Sequence, residues 1–371
     1  MAGFENDVVY AKNGDFTQSD NQAPVESNGL VTDGKIWIGS TATNAGGTHI
    51  NVGSLTSPNS SITFGYSSPN ITAVVNPSVV TDYHVARYIV SAGGASNGAN
   101  YTTIASAYAA AVGAGAPQTV FVQPGTYTEN LTLTPGIDIA GFPSGFYNAA
   151  GGTIINGKLT MTAAGTTTIS GVTLQTNADY VVEITGASAA NVVLYNCIIK
   201  ATSNAIHITN SSGSINLFQC QGLLTGANAY FVATGGGINV YQCHLTAANT
   251  TASTFADCSL GMFNSNFYQP ITTSGTATLT LWNCDIAPAA NTTALTHGGS
   301  GTSFAKDTKF TGGSSSAVSI GGILPMINCI VDSTNTNAIT GAGTLKYAFI
   351  SFTNTSSTVN TTTQTALATL I

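Results

Sequence analysis

The chain has 371 residues, and only 6% of them are charged. Ordinary soluble domains carry about 25%, so the polar surface must be built from Thr, Ser, Asn and Gln, a composition that suits β-structure and argues against a helical protein. The formal net charge of −7, with eight basic residues and no arginine beyond Arg87, excludes the clustered cations that nucleic acid requires, and the lack of any apolar run of about 18 residues argues against membrane insertion.

The start, Met1 to Asp7, has neither a basic region nor an apolar core, so no signal peptide is expected. Residues 1–80 hold short alternating runs broken by Gly, Pro and Asn: Gly34–Thr41, Gly53–Ser57, Ser61–Tyr66 and Pro69–Val75. They predict a small β-module. Its few large apolar residues make too small a core to stand alone, so a role in attachment or trimerisation is expected. Residues 81–100 read as a linker carrying one strand, Tyr88-Ile89-Val90. Ile104, Ala107, Tyr108 and Ala111 then fall at helical spacing and predict a helix over 101–112, capped by Thr102 or Thr103 and ended by Gly113 and Gly115. Strands follow at Thr119–Val122 and Leu131–Leu133, on either side of the turn Pro124-Gly125-Thr126-Tyr127, and then at Ile137–Gly141.

From 167 to 352 one phrase recurs: apolar-x-apolar-x-Asn-Cys-x-apolar. Val192–Ile199, Ile215–Cys220, Ile238–Leu245 and Leu279–Ile286 are its clearest copies, and Val172, Ser265, Thr308, Cys329 and Ala348 hold the Cys position in weaker ones. The spacings between these positions are 25, 23, 23, 22, 19, 24, 21 and 19 residues. A drifting period with strand-like alternation marks a solenoid whose repeats bury their apolar faces only by stacking. The apolar residues three and five before Cys point inward. Asn or Gln just before Cys suits a sharp left-handed bend, which restarts the alternation. Further runs such as Ala205–Ile208 and Ala317–Ile320 bring the count to about three strands per coil of about 22 residues. Residues 353–371 form a Thr-rich tail that would cover the last coil, whose bare edge invites aggregation.

Residues 101–142, a helix followed by TVFVQPGTYTENLTLTPGIDIAGF, resemble the opening of the pectin-lyase-like right-handed parallel β-helix, and the resemblance runs to about 352. It implies an all-β solenoid capped at its N-terminal end by the one helix. Residues 28–75 resemble a module of phage tail fibres and other trimeric fibre proteins, in which a strand ending Ile-Gly-Ser-Thr precedes a Leu-Thr-Ser strand and a Ser-Ile-Thr…Asn-Ile-Thr strand. Together the two resemblances imply a viral or phage fibre protein, in the virion or outside the cell. It would be partnered by itself as a homotrimer and would present the β-helix to a host receptor or cell-surface glycan. Two alternatives stand beside it: a tailspike-type polysaccharide-degrading enzyme, and a self-polymerising filament subunit or adhesin.

The residue two before Cys should face outward. It reads Tyr195, Phe218, Tyr241, Phe263 and Trp282, then Lys306, Ile327 and Lys346. Such a stripe exceeds what monomers tend to expose. It is an interface between copies in a trimer, a sugar-stacking platform, or, if the facing is off by one residue, part of the core. Cys197, Cys220, Cys243, Cys284 and Cys329 form a column that reads as free, buried thiols, against a disulfide reading that would need paired geometry along the stack. No Cys or His spacing suggests a metal site, and no cofactor is expected.

Glu129, Asp138, Asp179, Glu183, Asp257, Asp285, Asp307 and Asp332 occupy different repeat positions and read as solvated or turn-capping acids. Asp179 with Glu183, and Asp257, are the nearest to a catalytic arrangement. His84, His207, His244 and His297 are scattered, and His207 reads as a surface residue. Within the resemblance, pectate lyases use an arginine base and calcium-binding aspartates, and pectin methylesterases carry Gly-x-Val-Asp-Phe-Ile-Phe-Gly. This repeat region has neither the arginine nor the motif. No catalytic residue is therefore assigned and a non-enzymatic protein is expected, although a carboxylate pair facing one groove would favour the enzyme.

Overall fold

The computed structural model describes residues 88–92, 100–142, 152–176, 180–186, 189–209, 212–289, 291–354 and 356–366, and the backbone of six short strands nearer the N-terminus. The chain divides into two compact units, Met1–Val85 and Ala86–Ile371. In the first, antiparallel pairs join Ala11–Lys12 to Asp15–Phe16, Val31–Thr32 to Lys35–Ile36, and Ile62–Ser67 to Asn70–Val75. The run Gly53–Ser57 lies outside the described residues.

The second unit is a right-handed parallel β-helix of about ten turns, with one helix among the described residues. A single coil shows the plan. Ala190–Tyr195 runs to a corner at Asn196, Ile198–Ala201 leaves it, and Ile206–Ile208 completes the turn. Ser214–Phe218 then lies parallel on Ala190–Tyr195, with Val192 on Ile215 and Leu194 on Leu217. Those apolar rungs are fully buried. Each coil thus supplies one layer of a core that no coil could close alone.

The stack extends past both expected limits. Tyr88–Val90 pairs in parallel with Gln118–Val122, so the first coil begins inside the segment read as a linker. Thr358–Ala366 pairs in parallel with Asn337–Phe352, so the Thr-rich end adds a rung. The helix spans Ile104–Ala114 and buries Ile104, Ala107, Tyr108 and Ala111 against the first strands. Thr103 caps it, its hydroxyl accepting from the Ser106 amide, and Gly115 ends it at φ 86°; Gly113 lies inside the helix and does not end it. Glu129, on the coil below, accepts from the amides of Ile104 at 2.8 Å and Ala105 at 2.7 Å. A carboxylate there satisfies amides with no partner inside the helix and faces the positive end of its dipole.

The corners follow a strict rule. Asn196, Gln219, Gln242, Asn264, Asn283, Asp307 and Asn328 all adopt positive φ between 49° and 54°. The residue after each corner is buried and small: Cys197, Cys220, Cys243, Ser265, Cys284, Thr308 and Cys329. All six cysteines are free. The column does more than fill space. Cys284 Sγ donates to the Trp282 carbonyl at 3.3 Å and the Met262 carbonyl at 3.2 Å, and Ser265 and Thr308 hydroxyls donate to Phe263 and Lys306 carbonyls at 2.8 Å. The Trp282, Phe263 and Lys306 carbonyls already accept from the corner amides of the neighbouring coil, as Trp282 does from Asn264, so the side-chain donors add a second bond.

The ninth copy of the phrase needs correction. Ile350, not Ala348, stacks on Cys329, and Ala348 follows Ile327. The corner residue there is Phe349, at φ 57° and 82% exposed. Lys346 accordingly stacks on Pro325 and leaves the outward aromatic column.

Candidate functional site

The outward column is an unbroken ladder: Tyr195 on Phe218, then Tyr241, Phe263, Trp282, Lys306 and Ile327. Tyr195 and Trp282 are half exposed and the three between are partly covered, whereas Leu194 and Leu281 beside them are fully buried. The column therefore lies outside the core. Phe218 and Tyr241 stack with centroids 4.7 Å apart and planes 4° from parallel; Tyr241 and Phe263 stack at 4.9 Å and 7°. Tyr241 thus spends both ring faces on its neighbours. A sugar ring stacks on an open aromatic face, and Tyr241 offers none. The Lys306 ammonium sits 4.8 Å from the centroid of the Trp282 ring, a cation–π contact. Beside it, side-chain amides link successive coils: Asn216 Nδ2 donates to Asn191 Oδ1 at 2.7 Å, and Asn239 Nδ2 to Asn216 Oδ1 at 2.9 Å.

The carboxylates sort by what their oxygens already hold. Glu129 caps the helix, and Asp138 accepts from the Thr168 amide at 2.7 Å. Asp257 accepts from the Thr276 amide at 2.7 Å on the next coil. Glu183 receives Lys158 Nζ at 2.6 Å and His207 Nδ1 at 2.8 Å, and Tyr180 stacks on the His207 ring at 4.0 Å. Burial would raise the Glu183 pKa, but the bonds from Lys158 and His207 outweigh it and hold the carboxyl below its usual range. Asp332 accepts from Thr353 Oγ1 at 2.7 Å and pairs with Lys309 Nζ at 3.1 Å. Asp179 lies outside the described residues.

Asp285 and Asp307 are different. They sit on consecutive rungs, Asp307 in the corner column and Asp285 two residues past it, and line one groove of ≈ 750 Å³. Asn264, Asn266, Asn283, Asn328 and Lys309 line it too, with Ile330 and Phe352 at one end. Asn283 Nδ2 donates to Asn264 Oδ1 at 2.9 Å, and Asn328 Nδ2 to Asp307 Oδ1 at 2.6 Å. Asp285 Oδ1 is buried and receives no hydrogen bond among the described residues. Sequence reading missed this pair because Asp307 stands at the corner position and Asp285 one residue beyond Cys284. Only the stacking register brings the two to the same concavity. The groove is rich in amides and carboxylates that donate to and accept from hydroxyls, with apolar carbon at its edge, which is a composition suited to a polyol.

By its strand topology the chain has the pectin-lyase-like fold. No protein-family model matches it, and no curated protein matches it either. Solved structures share the architecture at low identity. A pectin methylesterase solved with a hexasaccharide is 13% identical, with 69% of this chain and 81% of that one covered and a TM-score of 0.33. The catalytic unit of a GH87 α-1,3-glucanase from Streptomyces thermodiastaticus is 13% identical over 77% of this chain and 67% of that one, at a TM-score of 0.40. ORF18 of Geobacillus virus E2 is 13% identical over 84% and 69%, at 0.32. The expectation of a non-enzymatic protein is corrected by these comparisons, since carbohydrate-active enzymes stand among the structures that share this coil plan. The acids were read as solvated or turn-capping because their repeat positions differ, yet Asp285 and Asp307 line one groove.

Proposed function

We propose that the second unit is a glycan-contacting β-helix and that the groove around Asp285 and Asp307 is where the glycan lies. The observation that carries this reading is the groove's lining: a row of side-chain amides and two carboxylates on successive rungs, beside apolar carbon. In this reading residues 1–80 serve attachment or trimerisation, as in a fibre protein, and the coils present the groove to a cell surface. A glycan array probed with the parent chain and with an Asn266→Ala/Asp285→Ala double variant tests it. Neither position is a positive-φ corner, so the coil should survive both changes. Glycan binding that the variant weakens at least about tenfold, equivalent to ~1.4 kcal/mol, supports the reading; unaltered binding refutes the groove as its seat.

A second reading, cleavage of the bound glycan, is favoured by the two carboxylates within the groove's lining, since glycoside hydrolysis uses a carboxylate pair. Release of reducing ends from a bound polysaccharide, abolished by Asp285→Asn, would establish it.

A further inference from the structure

This inference rests on the glycan reading above and narrows it. We infer that the groove takes a neutral, extended polysaccharide laid along the coil axis, and rejects polymers that carry carboxylates or sulfates. Three observations converge on it.

The groove itself is negatively charged. Its charged lining is Asp285, Asp307 and Lys309, and the lysine is already paired with Asp332 at 3.1 Å. A uronate carboxylate entering it would meet two like charges and no free cation.

Cations are scarce elsewhere on the unit. Beyond Arg87 the chain has five lysines, Lys158, Lys200, Lys306, Lys309 and Lys346, and no arginine. Lys158 is held by Glu183, Lys306 lies over the Trp282 ring, and Lys309 is on Asp332. Recognition of a polyanion calls for bidentate or clustered cations; among the described residues the two remaining lysines, Lys200 and Lys346, stand on different coils.

The third observation is periodicity. The column Asn266, Asp285, Lys309, Ile330, Ser351 crosses five successive rungs. At about 4.8 Å per rung this is a run of about 19 Å. Donors and acceptors therefore recur along the axis, and a linear polymer lying parallel to it meets a polar group at four of the five rungs, with Ile330 the apolar exception. A single sugar would use only a fraction of the run.

The test is affinity electrophoresis of the full chain through gels containing dextran, mannan, amylose or polygalacturonate, at low and high salt. An Asp285→Asn/Asp307→Asn variant is run beside it. Asn is at home at the positive-φ corner that Asp307 occupies, so this variant keeps the coil. The expected result is retardation by at least one neutral polymer and none by polygalacturonate at low salt. High salt should relieve the exclusion by screening, and the variant should bind polygalacturonate at least about tenfold more tightly than the parent, the scale of one like-charge contact near a protein surface. Parent chain held by polygalacturonate as strongly as by any neutral polymer overturns the inference and leaves the glycan reading standing. So does exclusion of polygalacturonate that the variant does not relieve. Retention by no polymer overturns the glycan reading itself.

Discussion

The aromatic ladder makes a quantitative prediction. Tyr241 is sandwiched between Phe218 at 4.7 Å and Phe263 at 4.9 Å, both nearly parallel to it. Aromatic pairs contribute about 0.5–1.5 kcal/mol each beyond the area they bury, so Tyr241→Ala forfeits about 1–3 kcal/mol from two of them. Tyr195, at the ladder's start, has no stacked ring partner among the described residues and is 48% exposed. Tyr195→Ala should cost about 0.5 kcal/mol or less, the ordinary range for a surface change. A double-mutant cycle on Phe218 and Tyr241, read by urea unfolding, isolates one stacking term and should return a coupling of about 0.5–1.5 kcal/mol. The coupling should not change with protein concentration, because both rings belong to one chain; a ring pair formed between copies would strengthen with concentration. Equal losses in Tyr241→Ala and Tyr195→Ala, or a coupling that grows with concentration, would refute the intrachain ladder.

Three further changes probe the coils. Phe349→Asn puts the preferred residue at a corner where a bulky exposed side chain holds φ 57°; it should stabilise the last coils by about 1 kcal/mol, and a destabilised variant in urea would show that Phe349 packs on something. Tyr230 is fully buried and its hydroxyl finds no hydrogen-bond partner among the described residues, so Tyr230→Phe should raise stability by about 1 kcal/mol or more; a loss would reveal a bond that the hydroxyl makes. Burial lowers the pKa of His297, whose Nδ1 lies 2.7 Å from Thr273 Oγ1. Neutral His297 therefore contributes stability in full above the unfolded-state pKa of about 6.5, and that stability is lost as the pH falls below it. The melting temperature should drop between about pH 7 and pH 5 and His297→Gln should flatten the drop; an unchanged slope in the variant would assign it to other groups.

The coil was legible because its corner is chemically narrow. Few residues tolerate left-handed φ, and the site after it is buried and tight, so Asn-Cys and its variants mark each turn from Asn196 to Asn328. The helix face of Ile104, Ala107, Tyr108 and Ala111 was legible for the same kind of reason, one period and one buried side. The last turn was not, because Phe349 breaks the corner chemistry and the phrase was matched two residues early. That the rings stack was also hidden. Alternation puts Tyr241 outside but does not say whether its face meets solvent or a neighbour. The Asp285–Asp307 groove was the least visible, because proximity across coils depends on register. A corner residue and a strand residue on successive turns share no sequence position.

The coil is also a unit of length. The stretch Cys197–Gln219 starts just after one corner and ends on the next, and each rung meets only the rungs on either side of it. A tandem copy of that stretch would add one step of about 4.8 Å and leave every other layer undisturbed. The spacings already show how forgiving the arrangement is: Ser265 to Cys284 takes 19 residues and Cys284 to Thr308 takes 24, with the slack absorbed between strands. Reach in such a protein can change by whole turns, through duplication or loss, while the capped first coil and the polar last one stay as they are.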